Sequence, residues 1–376
     1  MDKFCNSPFH HININNYGQL RPCCLFRAHP KHYINDDVNT FEQYQTLYDD
    51  VKELGLKHHG CDRCKRQEDL GIQSRRQNQF KKDTPPDGYI NFIDITFGNT
   101  CNLKCRMCRS MNSTKWIADE KYLLEQNFPL EGKIFSKFEL SKKKVNEITD
   151  YCNNYPGDVF YLEVKGGEPF VTDAFLDFID GLTDSFKRKC ELRVFSNGTK
   201  ISDEYIEKLS IFKKITYTIS IEATGRLYSY IRGSNILTID EVEQNLINIH
   251  KKTKNFAFGT SITTTLYSIF NQLDLVEWAE KMYHPLEPNS FMNFVHSPSY
   301  LDPMILPQKY KDQLCELYSK HKETENIVKY LQGPQRYESH KELLQQFFKF
   351  TDLLDLRRKE SLYDVVPIFK DIKNEL

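Results

Sequence analysis

The chain has 376 residues, 39% of them apolar and 27% charged, with 21 Tyr and 26 Phe. That length and aromatic content exclude a disordered or fibrous chain and predict a folded protein of about two domains. Lys plus Arg (51) nearly balances Asp plus Glu (52), so no global field attracts polyanions and no nucleic-acid partner is expected. No window reaches the roughly 18 consecutive apolar residues of a membrane span, and the start Met1-Asp2-Lys3 has no signal-peptide core, so a cytoplasmic location without a membrane partner is expected.

In chain order, residues 1–84 form a cysteine-rich region. It holds Cys5, Cys23, Cys24, Cys61 and Cys64, while Cys101, Cys105 and Cys108 follow shortly after and Cys152, Cys190 and Cys315 stand singly, as buried structural thiols do. An odd total of 11 cysteines in a reducing compartment argues against disulfides. Cys61 and Cys64 make a C-x2-C pair, which Cys5 with either Cys23 or Cys24 completes to a four-thiolate site. Spacing alone does not separate zinc from an iron–sulfur cluster there.

The turn-rich stretch Lys82 to Gly88 marks a boundary. From 85 to 300, short β-branched and aromatic runs alternate with amphipathic segments. Strands are predicted at Tyr89 to Phe97, Phe160 to Val164, Glu191 to Phe195, Ile215 to Ile221, Ala257 to Thr265 and Phe291 to Val295. Helices are predicted between them, among others at Ser113 to Gln126, Ala174 to Phe186, Asp203 to Leu209, Ile239 to Lys251 and Leu273 to Tyr283. Six such steps predict an α/β fold, a partial (β/α)6 TIM-like barrel with its site at the carboxyl ends of the strands. Residues 301–376 read as a helical carboxyl-terminal extension whose Leu343, Leu344, Phe347, Phe348, Leu353 and Leu354 pack as core. The basic clusters, such as Lys142-Lys143-Lys144, read as solvated faces.

Directly after the first barrel strand, Cys101, Cys105 and Cys108 stand in C-x3-C-x2-C spacing. Three thiolates on one loop hold three corners of a cubane 4Fe-4S cluster and leave one iron open, whereas structural zinc takes four ligands. This loop resembles the signature of radical S-adenosylmethionine (SAM) enzymes. The resemblance implies that SAM chelates the open iron and is reductively cleaved to a 5′-deoxyadenosyl radical that abstracts hydrogen from a substrate. It extends to Gly166-Gly167-Glu168 after the second strand, similar to the family's motif for the SAM amino group. Ser220 and Glu222 at the end of the fourth strand resemble the ribose-contacting Ser-x-Asp, with glutamate in place of aspartate. Arg232 is similar to the arginine that meets the SAM carboxylate, and Asn197 matches a frequent Asn-Gly that either lines the SAM site or makes a turn.

The amino-terminal cysteines resemble the auxiliary-cluster (SPASM or twitch) region, here placed before the barrel rather than after it. The stretch Cys64 to Arg76 and the run Phe350 to Pro367 are similar to phage-type twitch proteins. The resemblance implies a second 4Fe-4S cluster, with zinc the alternative, and a flavodoxin- or ferredoxin-type reductant. The activity it implies is that of an oxidoreductase: first an oxidation or cross-link of a peptide or protein side chain, second a dehydrogenation of a small polar metabolite such as an aminocyclitol, sugar or nucleotide. Thr263, Thr265 and His296 are expected at the barrel mouth, His296 as a proton-handling or a structural residue. A reading from another class is a zinc-stabilised binding module, a nucleic-acid adaptor using the basic runs Arg75-Arg76 and Lys81-Lys82.

Overall fold

Runs that alternate large apolar residues with polar ones make half-buried strands, and this chain contains a series of them. The computed structural model describes residues 4–27, 32–69, 74–79, 86, 88–233, 237–283 and 291–376. Its strands are β1 (His11–Ile14), β2 (Leu20–Arg21), β3 (Phe92–Thr96), β4 (Phe160–Lys165), β5 (Cys190–Ser196), β6 (Lys214–Ser220), β7 (Phe256–Thr264) and β8 (Phe291–Phe294). They form one sheet in the order β2-β1-β3-β4-β5-β6-β7-β8. All neighbours are parallel except β2, which runs antiparallel to β1. The fold is therefore the expected partial β/α barrel, with all six predicted strands in place.

Phe160, Leu162 and Val164 of β4 are buried, while Tyr161, Glu163 and Lys165 alternate with them toward the other face. The apolar face packs under the helices Lys142–Asn153, Asp173–Gly181, Asp203–Ser210, Ile239–Lys252 and Gln272–Tyr283. The opposite face is polar. Asn13, Asp94, Glu163, Arg193 and Thr216 stand side by side in register across β1, β3, β4, β5 and β6.

Several features differ from the sequence reading. Strand β1 was not foreseen; it places part of the cysteine-rich region in the barrel sheet, and Asn13 Nδ2 donates to the Asp94 carbonyl at 3.1 Å. The helix expected over Ala174 to Phe186 breaks at Leu182-Thr183, where the Thr183 hydroxyl accepts from the Phe186 N–H and starts a second helix, Asp184–Lys187. Lys144 does not belong to a solvated face. Its side chain is buried, donating from Nζ to the Val38 carbonyl at 2.5 Å and pairing with Glu147 at 2.8 Å. Arg76, of the basic run Arg75-Arg76 read as a nucleic-acid contact, is buried instead, forking onto Glu68 and donating to the Phe4 carbonyl. Lys81, Lys82 and the boundary expected at 84–85 lie outside the described residues.

The carboxyl-terminal helices Gln308–Tyr318, Glu325–Leu331, His340–Arg358 and Ile368–Asn374 build a second core. In it Phe347, Phe350 and Leu354 meet Trp116, Tyr230 and Tyr267 from the barrel side. Two ionic clamps fasten this extension. Arg106, fully buried, donates from Nη2 to Asp355 and to Glu360 at 2.7 Å, from Nε to the Tyr230 carbonyl at 3.1 Å, and lies 3.7 Å over the Tyr230 ring. Asp119 accepts from Arg357 at 2.6 Å and from Arg358 at 2.8 Å.

Removing one partner of a buried ion pair leaves a charge without compensation, at a cost of about 3–5 kcal/mol. Asp355→Ala leaves Arg106 only Glu360 as an acidic partner and orphans the Tyr230 hydroxyl and the Leu362 N–H, so it is expected to lower unfolding stability by about 1–3 kcal/mol in urea melts; a change below about 0.5 kcal/mol, the size of an ordinary surface substitution, contradicts the clamp. Burial pushes the Asp119 carboxyl up, but Arg358 and Arg357 outweigh it and hold the group below its ordinary range. A depressed carboxylate pKa contributes stability above the unfolded value, roughly 3.9, and loses it as pH falls through the folded value. The stability gap between wild type and Asp119→Asn should thus be constant from pH 7 to about 5 and shrink below about 4, read by melts along that series.

Candidate functional site

The three-cysteine loop leaves the end of β3 under a backbone zipper. Gly167 N–H donates to the Gly98 carbonyl at 3.0 Å and Glu168 N–H to the Thr100 carbonyl at 2.8 Å. A Cβ on Gly167 would overlap the Thr100 carbonyl, and one on Gly166 (φ +128°) would stand 2.6 Å from the Gly98 oxygen. The paired glycines thus allow β4 to press against the segment that launches Cys101. Past the zipper, Trp116 Nε1 donates to the Cys105 carbonyl at 2.8 Å and Ser113 Oγ to the Leu103 carbonyl at 2.6 Å.

Cys105 is buried and Cys101 and Cys108 are half-buried. The Leu103 N–H points at Cys101 Sγ (3.4 Å) and Arg232 Nη1 at Cys105 Sγ (3.5 Å). Burial pushes the Cys101 thiol up to about 12 and raises Cys105 and Cys108 as well. Neutral buried thiols with N–H donors already aimed at two of the sulfurs suit a cationic centre that displaces their protons, as thiolate-bound metal does.

The other predicted residues gather at the same strand ends. Glu168 is buried and accepts from Ser196 Oγ (2.8 Å) and the Asn197 N–H (2.7 Å), while burial pushes its carboxyl up to about 7. Asn197 makes a turn, its Oδ1 accepting from the Thr199 N–H at 2.9 Å, and its Nδ2 donates to Asn102 Oδ1 at 2.8 Å, one residue from Cys101. Ser220 lies half-buried at the end of β6. Glu222 and Arg232 face each other in an ion pair of 2.7 Å. Burial pushes the Glu222 carboxyl up to about 7 against the pull of Arg232. Arg232 Nε and the Tyr228 hydroxyl are buried with no hydrogen-bond partner among the described residues. Orphaned polar atoms beside the thiols fit a polar ligand that pairs them. Tyr228, four residues before Arg232 on the helix Gly225–Arg232, was not foreseen; its one sequence signal is that i, i+4 spacing.

The structure separates the amino-terminal cysteines. Cys5, Cys23, Cys61 and Cys64 border one small cavity with Phe26 and Gly60, while Cys24 borders the barrel lumen. Burial pushes Cys23 and Cys61 up to about 12. Among the described residues no three His, Cys, Asp or Glu side chains are drawn together closely enough for a single metal ion, in either thiol group.

The lumen is a cavity of about 660 Å³ bordered by Asp94, Glu163, Lys165, Arg193, Thr263 and Asn293 from the strands, and by Arg21, Cys24 and Arg75 from the amino-terminal region. Lys165 pairs with Asp94 at 3.1 Å and with Glu163 at 2.7 Å. Thr263 borders it, whereas Thr265 is buried in a turn with Ser268, and His296 lies outside among Asp302, Tyr330 and Arg336. The charged lumen residues were missed, although every second residue of Phe-Ile-Asp-Ile-Thr and Phe-Tyr-Leu-Glu-Val-Lys carries the signal.

The family model of the radical SAM superfamily matches residues 95–282, half of the chain. No curated protein matches. Among solved structures, anSMEcpe with bound AdoMet is similar at 16% identity and a TM-score of 0.41, over 60% of this chain and 58% of that one. SuiB of Streptococcus suis bound to S-adenosylmethionine is similar at 13% identity and 0.39, over 85% and 71%. TsrM from Kitasatospora setae, a radical S-adenosylmethionine methyltransferase, is similar at 11% identity and 0.37, over 59% and 37%.

With β4 and the cysteine loop in backbone contact, a single methyl group at residue 167 has nowhere to go. Gly167→Ala is expected to cost about 1–3 kcal/mol of stability, the usual range for overpacking, and to reduce iron uptake on reconstitution. Wild-type stability and iron content in this variant contradict the zipper.

Proposed function

The chain belongs to the radical SAM superfamily, and on that premise we propose that Cys101, Cys105 and Cys108 hold a 4Fe-4S cluster whose open iron binds SAM. When bound, that pair supplies the 5′-deoxyadenosyl radical. The observation that carries this reading is the contact of Cys105 Sγ, on the loop that also bears Cys101 and Cys108, with Arg232 of the buried Glu222–Arg232 pair. On this reading Arg232 would offer a guanidinium to the SAM carboxylate, the Gly166-Gly167-Glu168 turn would take the amino group, and Ser220 and Glu222 would serve the ribose. Asn197 steadies Asn102 next to Cys101. Tyr228 brings an unpaired hydroxyl to the same wall.

The substrate's reacting group enters the lumen, where the charged side chains orient it. The cavity of about 660 Å³ lies within the range of small-molecule sites, roughly 300–1,000 Å³, but its lining is charged where such sites are mostly apolar. This favours oxidation of a small polar molecule over oxidation or cross-linking of a peptide side chain. Cys5, Cys23, Cys61 and Cys64 are the ligands we assign to a second 4Fe-4S cluster of twitch type, with zinc as the alternative. Arg75 borders both the four-thiol cavity and the lumen, so an electron leaving the substrate has a short path to that group. A second cluster held by Cys5, Cys23, Cys61 and Cys64 would supply an electron acceptor beside the lumen, the chemistry a two-electron oxidation of the substrate would need.

Full reconstitution should give about eight iron and eight sulfide per chain, and about four if zinc fills the second site. Cys105→Ala should abolish 5′-deoxyadenosine formation with dithionite, while Cys61→Ala retains substrate-independent cleavage. Cys23→Ser should lose about half the iron and Cys24→Ser none. Product from the Cys105 variant overturns the SAM site; iron loss in the Cys24 variant overturns the assignment of the second.

A further inference from the structure

The charges that border the lumen do not balance. Four cations border it, Arg21, Arg75, Lys165 and Arg193, against two carboxylates, Asp94 and Glu163. Lys165 sits between both carboxylates. Arg21 donates to Asn13 Oδ1 at 2.7 Å and to the Phe26 carbonyl at 3.4 Å, so its fork is partly engaged by neutral groups. Arg75 differs. Its Nε is buried without a hydrogen-bond partner among the described residues, and Glu163 and Asp94, each in contact with Lys165, act on it through space.

A buried N–H that has lost water and gained no acceptor is costly, and the Nε of the half-buried Arg75 is one. Its planar fork matches a carboxylate or a phosphate with two parallel N–H···O bonds. Lys165 already occupies the neighbouring acids. Arg193, on β5 in register with Glu163, borders the same space. The chain as a whole has a net charge of −1, so this cationic surplus is local to the cavity.

We infer that the lumen binds an anionic substrate, a small molecule bearing a carboxylate or a phosphate that docks on Arg75 with Arg193 beside it. This inference deepens the proposed function and rests on its placing of the substrate in the lumen. The anion fixes the orientation of the molecule, so that the carbon to be oxidised faces the cysteine loop at the strand ends. Arg75 acts here as a substrate-binding residue, and it opens the helix Arg75–Gln79 from the cysteine-rich region. The amino-terminal region therefore completes the substrate site as well as holding thiols.

The test is calorimetric titration of the reconstituted full chain with three separate probes. Inorganic phosphate and succinate represent the two sources of anionic chemistry, and neutral succinamide is the control. Saturable binding of phosphate, succinate or both is expected, with succinamide at least tenfold weaker. Arg75→Gln should weaken the bound anion at least tenfold, Arg75→Lys by less, and Lys281→Gln, an exposed residue elsewhere, should leave it unchanged. Because Arg75 also borders the four-thiol cavity, iron content is measured on each variant. Should Arg75→Gln lose iron, Arg193→Gln, on a strand away from those thiols, replaces it with the same expected weakening. Absence of anion binding, equal binding of succinamide, or undiminished affinity in an Arg75 or Arg193 variant with full iron overturns the inference. SAM cleavage by the wild type is assayed in parallel without any probe. Its failure strikes the proposed function, whereas the titration alone decides the anion site.

Discussion

Everything at the mouth of this barrel depends on the close approach of two stretches of backbone, residues 98–100 and 166–168. Two hydrogen bonds join them, and the absence of a Cβ on Gly167 permits the distance. From that contact a circuit of polar bonds continues. Glu168 holds Ser196 Oγ and the Asn197 N–H, and Asn197 returns to Asn102 on the cysteine loop. The ends of β3, β4 and β5 are thereby tied to one another and to the loop that carries the thiols. A site built on strand ends joined in this way has little freedom to shift, which is what a reactive radical generator requires of its supports.

A second set of contacts approaches the loop from the opposite side. Trp116 holds the Cys105 carbonyl, stacks with Phe350, and lies under Arg358. Arg106, the residue after Cys105, is enclosed by Tyr230, Asp355 and Glu360. The carboxyl-terminal extension is thus part of the wall behind the thiols. On the amino-terminal side, β1 and Arg75 perform the corresponding role for the lumen. The barrel is complete as a site only with both flanking regions in place.

Much of this was readable in the sequence. The six parallel strands carry β-branched and aromatic runs strong enough to mark them, and the cysteine spacing stands out against any background. Strand β1 was not readable, because His-Ile-Asn-Ile is short and lies in a run of asparagines and histidines that resembles a loop. Lys144 looked solvated for a related reason: a lysine triplet reveals nothing of the Val38 carbonyl and Glu147 carboxylate that bury its ammonium. The choice between Cys23 and Cys24 was equally hidden. Adjacent residues point in different directions, and only the path of the chain decides which thiol meets Cys5, Cys61 and Cys64. The ion pair of Glu222 with Arg232, two residues recognised separately by motif, became visible only when the helix after β6 folded back over the strand end.

The most direct measurement is electron paramagnetic resonance of the anaerobically reconstituted, dithionite-reduced protein, recorded with and without SAM. A SAM-binding cluster on Cys101, Cys105 and Cys108 predicts a low-spin signal of a reduced 4Fe-4S centre whose g-values shift when SAM is added. A protein with no such signal, or with one that SAM leaves unchanged, contradicts it.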